Sequence, residues 1–256
     1  MNIRYFLAFL ITSLGLFSCA GSNNSTTDTT LSVEERFNKG MQEYNDGDWV
    51  DAQRIFEEIR VQSPTSPFAA QAMYLAAMSR YKQETYSSAA VDFRMFRRTY
   101  PSHELAPRAQ YMIGESYYGL SPQAELDQTY TQYAINEYQA YIRMYSSLIT
   151  SLTDSAETRI KELRDKLAMK YLLAAELYIK LDDRKAAILY FQRVLDDYYD
   201  TIPAPEAQLR IAEIQADRKK LKEAADALAK FEERYLAQAT QDQRNRARNL
   251  KSQYAL

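Results

Sequence analysis

Residues 40–64 read GMQEYNDGDWVDAQRIFEEIRVQSP and outline one complete helix-turn-helix unit. The apolar residues of the second half occupy positions i, i+3, i+4 and i+7, which is one face of a helix: Ala52, Ile55, Phe56 and Ile59. Asn45-Asp46-Gly47-Asp48 is a turn signal immediately before that helix, and Pro64 marks its end. The stretch therefore predicts two helices joined by a tight turn.

The same pattern returns four more times along the chain. Its alanine and the large residue four positions later recur as Ala52/Phe56, Ala89/Phe93, Ala134/Tyr138, Ala187/Phe191 and Ala224/Leu228. The alanines are 37, 45, 53 and 37 residues apart, so a period of 37 carries two enlarged connections. Small residues precede each pair where two helices would cross closely: Gly40, Ala77, Gly114, Ala175 and Ala212. One such unit cannot bury its apolar face alone, so the repeats predict an all-α stack.

These units resemble the tetratricopeptide repeat (TPR) family. The first unit carries that family's signature residues: Gly40, Tyr44, Gly47, Trp49, Ala52, Phe56 and Pro64. The resemblance implies a right-handed α-solenoid of about five repeats within residues 32–256. The units are placed at about 33–65, 66–101, 102–147, 151–200 and 203–237, followed by a C-terminal helix. A long turn replaces the tight one in the third unit, and a long helix from about Ser151 opens the fourth.

The N-terminus has the pattern of a lipoprotein leader. Residues 1–18 begin with a positive charge and continue with an apolar run, Tyr5 to Gly15, that is too short to span a bilayer. Leu16-Phe17-Ser18-Cys19 resembles a bacterial lipobox, which implies cleavage before Cys19 and acylation of that residue, including palmitate. The alternative is a plain signal peptide with an incidental cysteine. Residues 19–31 are polar and predict a disordered tether.

Composition excludes several classes of chemistry. The formal net charge is −2, with 32 Lys+Arg against 34 Asp+Glu, which disfavours a nucleic-acid binder. One Cys and one His are too few for a disulfide framework, a Cys/His zinc site or a histidine-dependent triad. Six scattered glycines leave no phosphate-binding loop. We therefore predict no catalysis, no metal and no cofactor.

The combination of lipobox, five units and certain segments resembles the BamD family, the TPR lipoproteins of the outer-membrane β-barrel assembly (BAM) machinery. These segments are residues 100–118, 121–128 and 198–207. The resemblance implies a protein anchored on the periplasmic face of the outer membrane. It also implies that the C-terminal repeats bind a POTRA domain of a BamA-like insertase, while the N-terminal groove binds unfolded outer-membrane β-barrel proteins. Two rival functions remain: another periplasmic TPR lipoprotein adaptor, serving peptidoglycan enzymes or Tol-Pal, and an enzyme accessory or lytic hydrolase.

Aromatic and methionine columns recur at 37-residue intervals in the first three units: Phe37/Tyr74/Tyr111, Tyr44/Tyr81/Tyr118 and Met41/Met78. By the TPR pattern they lie on first helices facing the concave groove, where they would bury the apolar side chains of a peptide. The alternative is that these rings pack between helices.

Two sets of basic residues complete the predicted sites. Arg94, Arg97, Arg98 and Arg108 cluster near the junction of units two and three, and we select Arg98 and Arg108 as partners for a peptide carboxylate. The last third is basic through Arg218-Lys219-Lys220, Arg244, Arg246, Arg248 and Lys251, which favours the insertase contact. For both sets the alternative is a solvated helix face, which is the more common role of such a run of arginines.

Overall fold

A computed structural model describes residues 31–255, and within that range it contains eleven α-helices and no strand. The helices are α1 (Val33–Asp46), α2 (Trp49–Gln62), α3 (Ala69–Lys82), α4 (Tyr86–Thr99), α5 (Ala106–Leu120), α6 (Thr129–Tyr145), α7 (Thr150–Lys180), α8 (Arg184–Asp197), α9 (Ala204–Asp217), α10 (Leu221–Arg234) and α11 (Gln241–Tyr254). The predicted leader, Cys19 and the tether as far as residue 30 lie outside the described residues.

Consecutive helices pair antiparallel and stack in chain order. In the first pair, Phe37 near the start of α1 contacts Phe56 late in α2, with ring centroids 5.7 Å apart. Tyr44 near the end of α1 contacts Trp49 at the start of α2, at 4.9 Å. Each helix packs on the helices before and after it, and α11 packs also on α9. The predicted all-α TPR solenoid is confirmed.

Glycines allow the first helices to approach the second helices closely. A Cβ built on Gly40 would lie 2.8 Å from the Phe56 ring, and one on Gly114 would lie 2.7 Å from the Tyr138 ring. Both distances are too short for ordinary packing, so the predicted close crossings are confirmed at these two positions.

The long α7 joins the two halves of the stack. Leu163 and Leu167 belong to the core that α7 shares with α6, whereas Ala168 and Ala175, further along the helix, belong to the core of α8–α10. The connection between α5 and α6 lies against the same helix, because the Lys166 ammonium donates to the Ser121 hydroxyl at 2.7 Å. Unit three is thereby tied to the first helix of unit four.

The tight turn between the two helices of a unit contains one residue in the left-handed backbone conformation, and the type of this residue differs between units. Gly47 adopts φ 90°, whereas Glu84, Asp182 and Lys219 occupy the same region with side chains, at φ 58–59°. This conformation costs a non-glycine residue about 1–2 kcal/mol. We therefore expect Lys219→Gly to raise the free energy of unfolding by about 0.5–1 kcal/mol, measured by urea denaturation.

Lys230→Gly is the matched control, because Lys230 is an exposed lysine inside α10, where glycine should cost about 1 kcal/mol. A destabilising Lys219→Gly would contradict the assignment of strain to the turn.

Candidate peptide-binding surface

The predicted columns lie on α1, α3 and α5, and most of their rings lean on the second helix of their own unit. Tyr74 packs on Phe93 and Phe96 of α4, with centroids 5.5 and 5.7 Å away. Other contacts follow the same rule: Tyr81 on Tyr86, Tyr111 on Tyr138 and Tyr141, and Tyr44 on Trp49. These tyrosines, Tyr118 and the methionines Met41 and Met78 remain half-buried, so each keeps an accessible edge.

Phe37 differs from the rest of its column. It is only 6% exposed and packs on both Phe56 and Phe68, inside the core formed by the first three helices. It therefore has almost no surface to offer a ligand.

Glu115 of α5 joins the tyrosines of neighbouring helices into one cluster. The Tyr138 hydroxyl donates to Glu115 Oε1 at 2.5 Å, and Arg159 of α7 reaches the same oxygen at 3.3 Å. The negative charge of Glu115 also acts on Tyr81 and Tyr111. We call the set Tyr81, Tyr111, Tyr118, Tyr138, Glu115 and Arg159 the Glu115 cluster.

Arg159 extends the cluster from unit three onto α7. Its guanidinium lies over the Tyr118 ring, 4.1 Å from the centroid, and donates to Glu162 at 3.0 Å. The Tyr118 hydroxyl donates to the same carboxylate at 3.0 Å. Arg159 thus lies between two carboxylates, Glu115 and Glu162, and partly neutralises both.

Burial and the Glu115 charge keep these phenols protonated. Burial, followed by the nearby carboxylate, raises the pKa of Tyr81 to about 12, and the same causes raise the pKa of Tyr111 and Tyr138. The stabilisation that comes from keeping Tyr81 protonated is complete below its ordinary pKa of 10 and is lost as pH rises through about 12. At neutral pH the hydroxyls are therefore fixed hydrogen-bond donors.

Glu115→Gln should move the ionisation of Tyr81 to lower pH, because the negative charge that opposes the phenolate is gone. The measurement is a pH titration by NMR of the ζ-carbons of isotopically labelled tyrosine. Glu162→Gln is the control. The Glu162 carboxylate accepts a hydrogen bond from the Tyr118 hydroxyl, so its replacement should lower the pKa of Tyr118 and leave the pKa of Tyr81 unchanged. Identical Tyr81 titrations in both variants would contradict the cluster geometry.

The four arginines near units two and three separate in space. Arg94 and Arg97 bond to partners on α5 and α6, namely Tyr117, Glu137, Gln110 and Met144. Arg98 lies one turn after Arg94 on α4, away from the face on which Phe93 and Phe96 meet Tyr74.

Arg108 lies beside the tyrosine columns. It is exposed on α5, and its positive charge acts on Tyr74 and Tyr141. Within residues 31–255 no carboxylate lies at ion-pair distance from it. Of the two arginines selected from the sequence, the structure therefore brings only Arg108 to this surface.

Much of the basic C-terminal third is neutralised internally. Arg246 of α11 bonds to Glu206 at 2.8 Å and to Glu213 at 2.9 Å, both on α9. Lys251 pairs with Glu232, and Lys220 with Glu223. Arg244 donates to the carbonyl groups of Leu236 and Ala237. In the described part of the chain, Arg218, Lys219 and Arg248 are the members of the predicted set without an ion-pair partner or a side-chain hydrogen bond.

Sequence reasoning missed Glu115, Arg159 and Glu162. Glu115 stands four residues after Tyr111 and three before Tyr118, so helical spacing alone places it between two columns. That signal was available. No sequence pattern pointed to Arg159, because it lies on the long helix α7, where the repeat period is interrupted. Within the described residues no group of His, Cys, Asp or Glu is arranged to hold a metal ion, and no helix is long and apolar enough to span a bilayer.

Comparison with known proteins agrees with the resemblance read from the sequence. A family model described as YfiO, outer membrane lipoprotein, matches residues 30–231. Outer membrane protein assembly factor BamD of Caulobacter vibrioides is 26% identical over 212 residues, covering 81% of this chain and 68% of the relative. BamD of Rickettsia prowazekii is 26% identical over 206 residues, covering 80% and 81%.

Among solved structures, the TPR2AB-domain:pHSP90 complex of yeast Sti1 aligns with a TM-score of 0.48 at 13% identity, covering 86% of this chain and 83% of that one. The YfiO model spans well over half of the sequence. The chain therefore belongs to the YfiO family of outer membrane lipoproteins.

Proposed function

We propose that this chain is an outer membrane protein assembly factor that binds unfolded outer-membrane β-barrel proteins on its N-terminal repeats. The relatives from Caulobacter and Rickettsia are assembly factors by name. The observation that carries the proposal is the set of half-exposed tyrosines on α3 and α5, which Glu115 of α5 and Arg159 of α7 hold together.

The chemistry of this surface suits an extended peptide with aromatic side chains. The half-exposed rings offer edges and faces against which apolar side chains lose water contact. Arg159 offsets the charges of Glu115 and Glu162 only in part, so the centre of the surface does not favour an anionic group. Arg108 supplies a separate cation at the side of the surface, where a C-terminal carboxylate can accept a two-fold hydrogen bond.

The C-terminal repeats are the proposed docking region for a POTRA domain of a BamA-like insertase. Within the predicted basic set, the internal pairing of Arg246, Lys220 and Lys251 leaves Arg218, Lys219 and Arg248 free for such a contact. An exposed cationic surface should mainly accelerate association, and its effect should weaken with salt. Acylated Cys19 is the proposed anchor in outer-membrane lipid, on the periplasmic face. Two or three acyl chains are enough for stable membrane attachment.

Affinity purification of the full chain from native envelopes, with partners identified by mass spectrometry, tests this assignment. Recovery of a POTRA-containing barrel protein in near-stoichiometric amounts is the expected result. Arg218→Glu combined with Lys219→Glu should reduce that recovery, whereas Lys251→Glu, which removes a cation already paired with Glu232, should not. Recovery of cell-wall enzymes or Tol-Pal components without a barrel protein would overturn the proposal.

A further inference from the structure

A second aromatic surface lies on the second helices of units two and three, α4 and α6. Tyr130 and Tyr133, in the first turns of α6, are 41% and 46% exposed. Both rings contact Tyr117 of α5, with centroids 6.2 and 5.4 Å away, and they also contact each other at 6.2 Å. Single exposed aromatics are common, but three in mutual contact form a patch of the kind that marks an interaction site.

Arginines of α4 border the same surface. Arg94 donates to Glu137 of α6 at 2.9 Å, and its guanidinium lies 5.8 Å from the centroid of the Tyr117 ring. This contact places α4 and α6 side by side above α5. Val91, 52% exposed, precedes Arg94 by three residues and so adds apolar area on the same side of α4.

The positive charge is only partly neutralised. Glu137 is the carboxylate that pairs with Arg94, whereas Arg97 donates to the buried amide oxygen of Gln110 and, at 3.7 Å, to the sulfur of Met144. A thioether is a weak acceptor. Arg98 is exposed and has no carboxylate at ion-pair distance within residues 31–255. Of the three arginines on this surface, Arg94 alone is paired with a carboxylate.

The surface has a distinct aromatic end and a distinct cationic end. Arg94 contacts Glu137 and Arg97 contacts Met144, so α4 and α6 run parallel in register. Tyr130 and Tyr133 then lie at the N-terminal ends of both helices, and Arg98 lies towards the C-terminal ends. An extended ligand lying along α4 and α6 would therefore contact aromatic rings at one end and guanidinium groups at the other.

We propose that the α4–α6 surface binds an acidic segment of a partner protein, which places an aromatic or leucine side chain at Tyr130 and Tyr133 and carboxylates at Arg97 and Arg98. Charge complementarity selects the partner, because two of the three guanidinium groups lack a carboxylate. Exposed tyrosine and arginine are also the residue types that dominate binding energy at protein interfaces. The surface is separate from the Glu115 cluster, since it is built on the opposite side of α4 from Tyr74.

The test uses the full chain and a fluorescein-labelled peptide, EEFEEFEE, in a binding titration at low salt. We expect the peptide to bind, and we expect Arg98→Glu and Tyr133→Ser each to weaken binding by about tenfold or more. Arg143→Glu is the matched control: it makes the same charge change on an exposed arginine of α6, about 120° around the helix from Glu137. It should change affinity by less than about twofold.

Four results would overturn the proposal. The first is no binding of EEFEEFEE by the unmodified chain. The second is an equal loss for Arg98→Glu and Arg143→Glu, which would mean non-specific attraction between charges. The third is binding of phosphatidylglycerol vesicles that depends on Arg98 in the absence of peptide binding, which would assign the surface to a membrane. Replacing glutamate by lysine in the peptide should abolish binding, and retained binding would contradict the charge argument.

Discussion

Gly114→Ala should lower the free energy of unfolding by about 2 kcal/mol, although alanine is the better helix former. The new Cβ would lie 2.7 Å from the Tyr138 ring, and overpacking of this kind costs about 1–3 kcal/mol. The upper end applies because Tyr138 is fully buried and its hydroxyl is held by Glu115. The higher helix propensity of alanine offsets about 1 kcal/mol of this cost.

Urea denaturation measures this loss, and a double-mutant cycle locates its origin. In a Tyr138→Leu background the smaller side chain leaves room for the Cβ, so Gly114→Ala should then be neutral or stabilise the chain by up to about 1 kcal/mol. The same cost in both backgrounds would show that the ring is not the obstacle. Gly114→Ala should also disturb the Glu115 cluster, because Tyr138 must move to accept the Cβ.

Arg246→Met should detach α11 and destabilise the chain by about 2–3 kcal/mol, because Glu206 and Glu213 lose their shared cation. The Arg246 side chain is 29% exposed, which places the expected loss below that of a fully buried ion pair. Apart from Ala247 and Leu250, α11 buries little apolar surface. Hydrogen exchange of residues 241–254 should therefore increase more than that of α9 and α10.

Lys251→Met is the control for Arg246→Met. The Lys251–Glu232 pair is 51% and 39% exposed, and its loss should cost less than about 1 kcal/mol. Equal effects of the two substitutions would contradict the role given to Arg246.

Acid should weaken the α11 contact in the same way. Burial raises the pKa of Glu206, but hydrogen bonds from Arg246 and Gln243 outweigh it and hold the pKa below its ordinary value. A carboxylate whose pKa is lowered by folding stabilises the folded state at pH values above its pKa in the unfolded chain. This stabilisation is lost as the pH falls through its pKa in the folded state. Protection of α11 should therefore decrease in acid.

The fold was predictable because its determinants repeat. An alanine followed four residues later by a large side chain, as in Ala52 and Phe56, appears in every unit, and each unit packs against the next. The tyrosine columns were predictable for the same reason, since residues 37 apart in regular units occupy the same helix position. The burial of Phe37 was not, because Phe68 of the next unit closes over it.

The charge partners were not predictable from local sequence. Arg246 pairs with Glu206 across 40 residues, and Arg159 reaches Glu115 across 44, through the enlarged helix where the period fails. A run of basic residues such as 244–251 therefore overstates the free positive charge of the surface. Arg98 and Arg108 are close in sequence, yet a helix end and a turn between them send their side chains to different surfaces.

The most direct measurement of the central claim is the affinity of a peptide that copies the C-terminus of an outer-membrane β-barrel protein and ends in phenylalanine. The account predicts that Tyr81→Ser combined with Tyr118→Ser weakens binding by at least about tenfold. Tyr199→Ser, at a tyrosine 60% exposed outside the cluster, should leave it unchanged. Amidation of the peptide should weaken binding to the unmodified chain and have little effect once Arg108 is replaced by Met. Unchanged affinity in the Tyr81/Tyr118 variant would contradict the assignment of this surface to client binding.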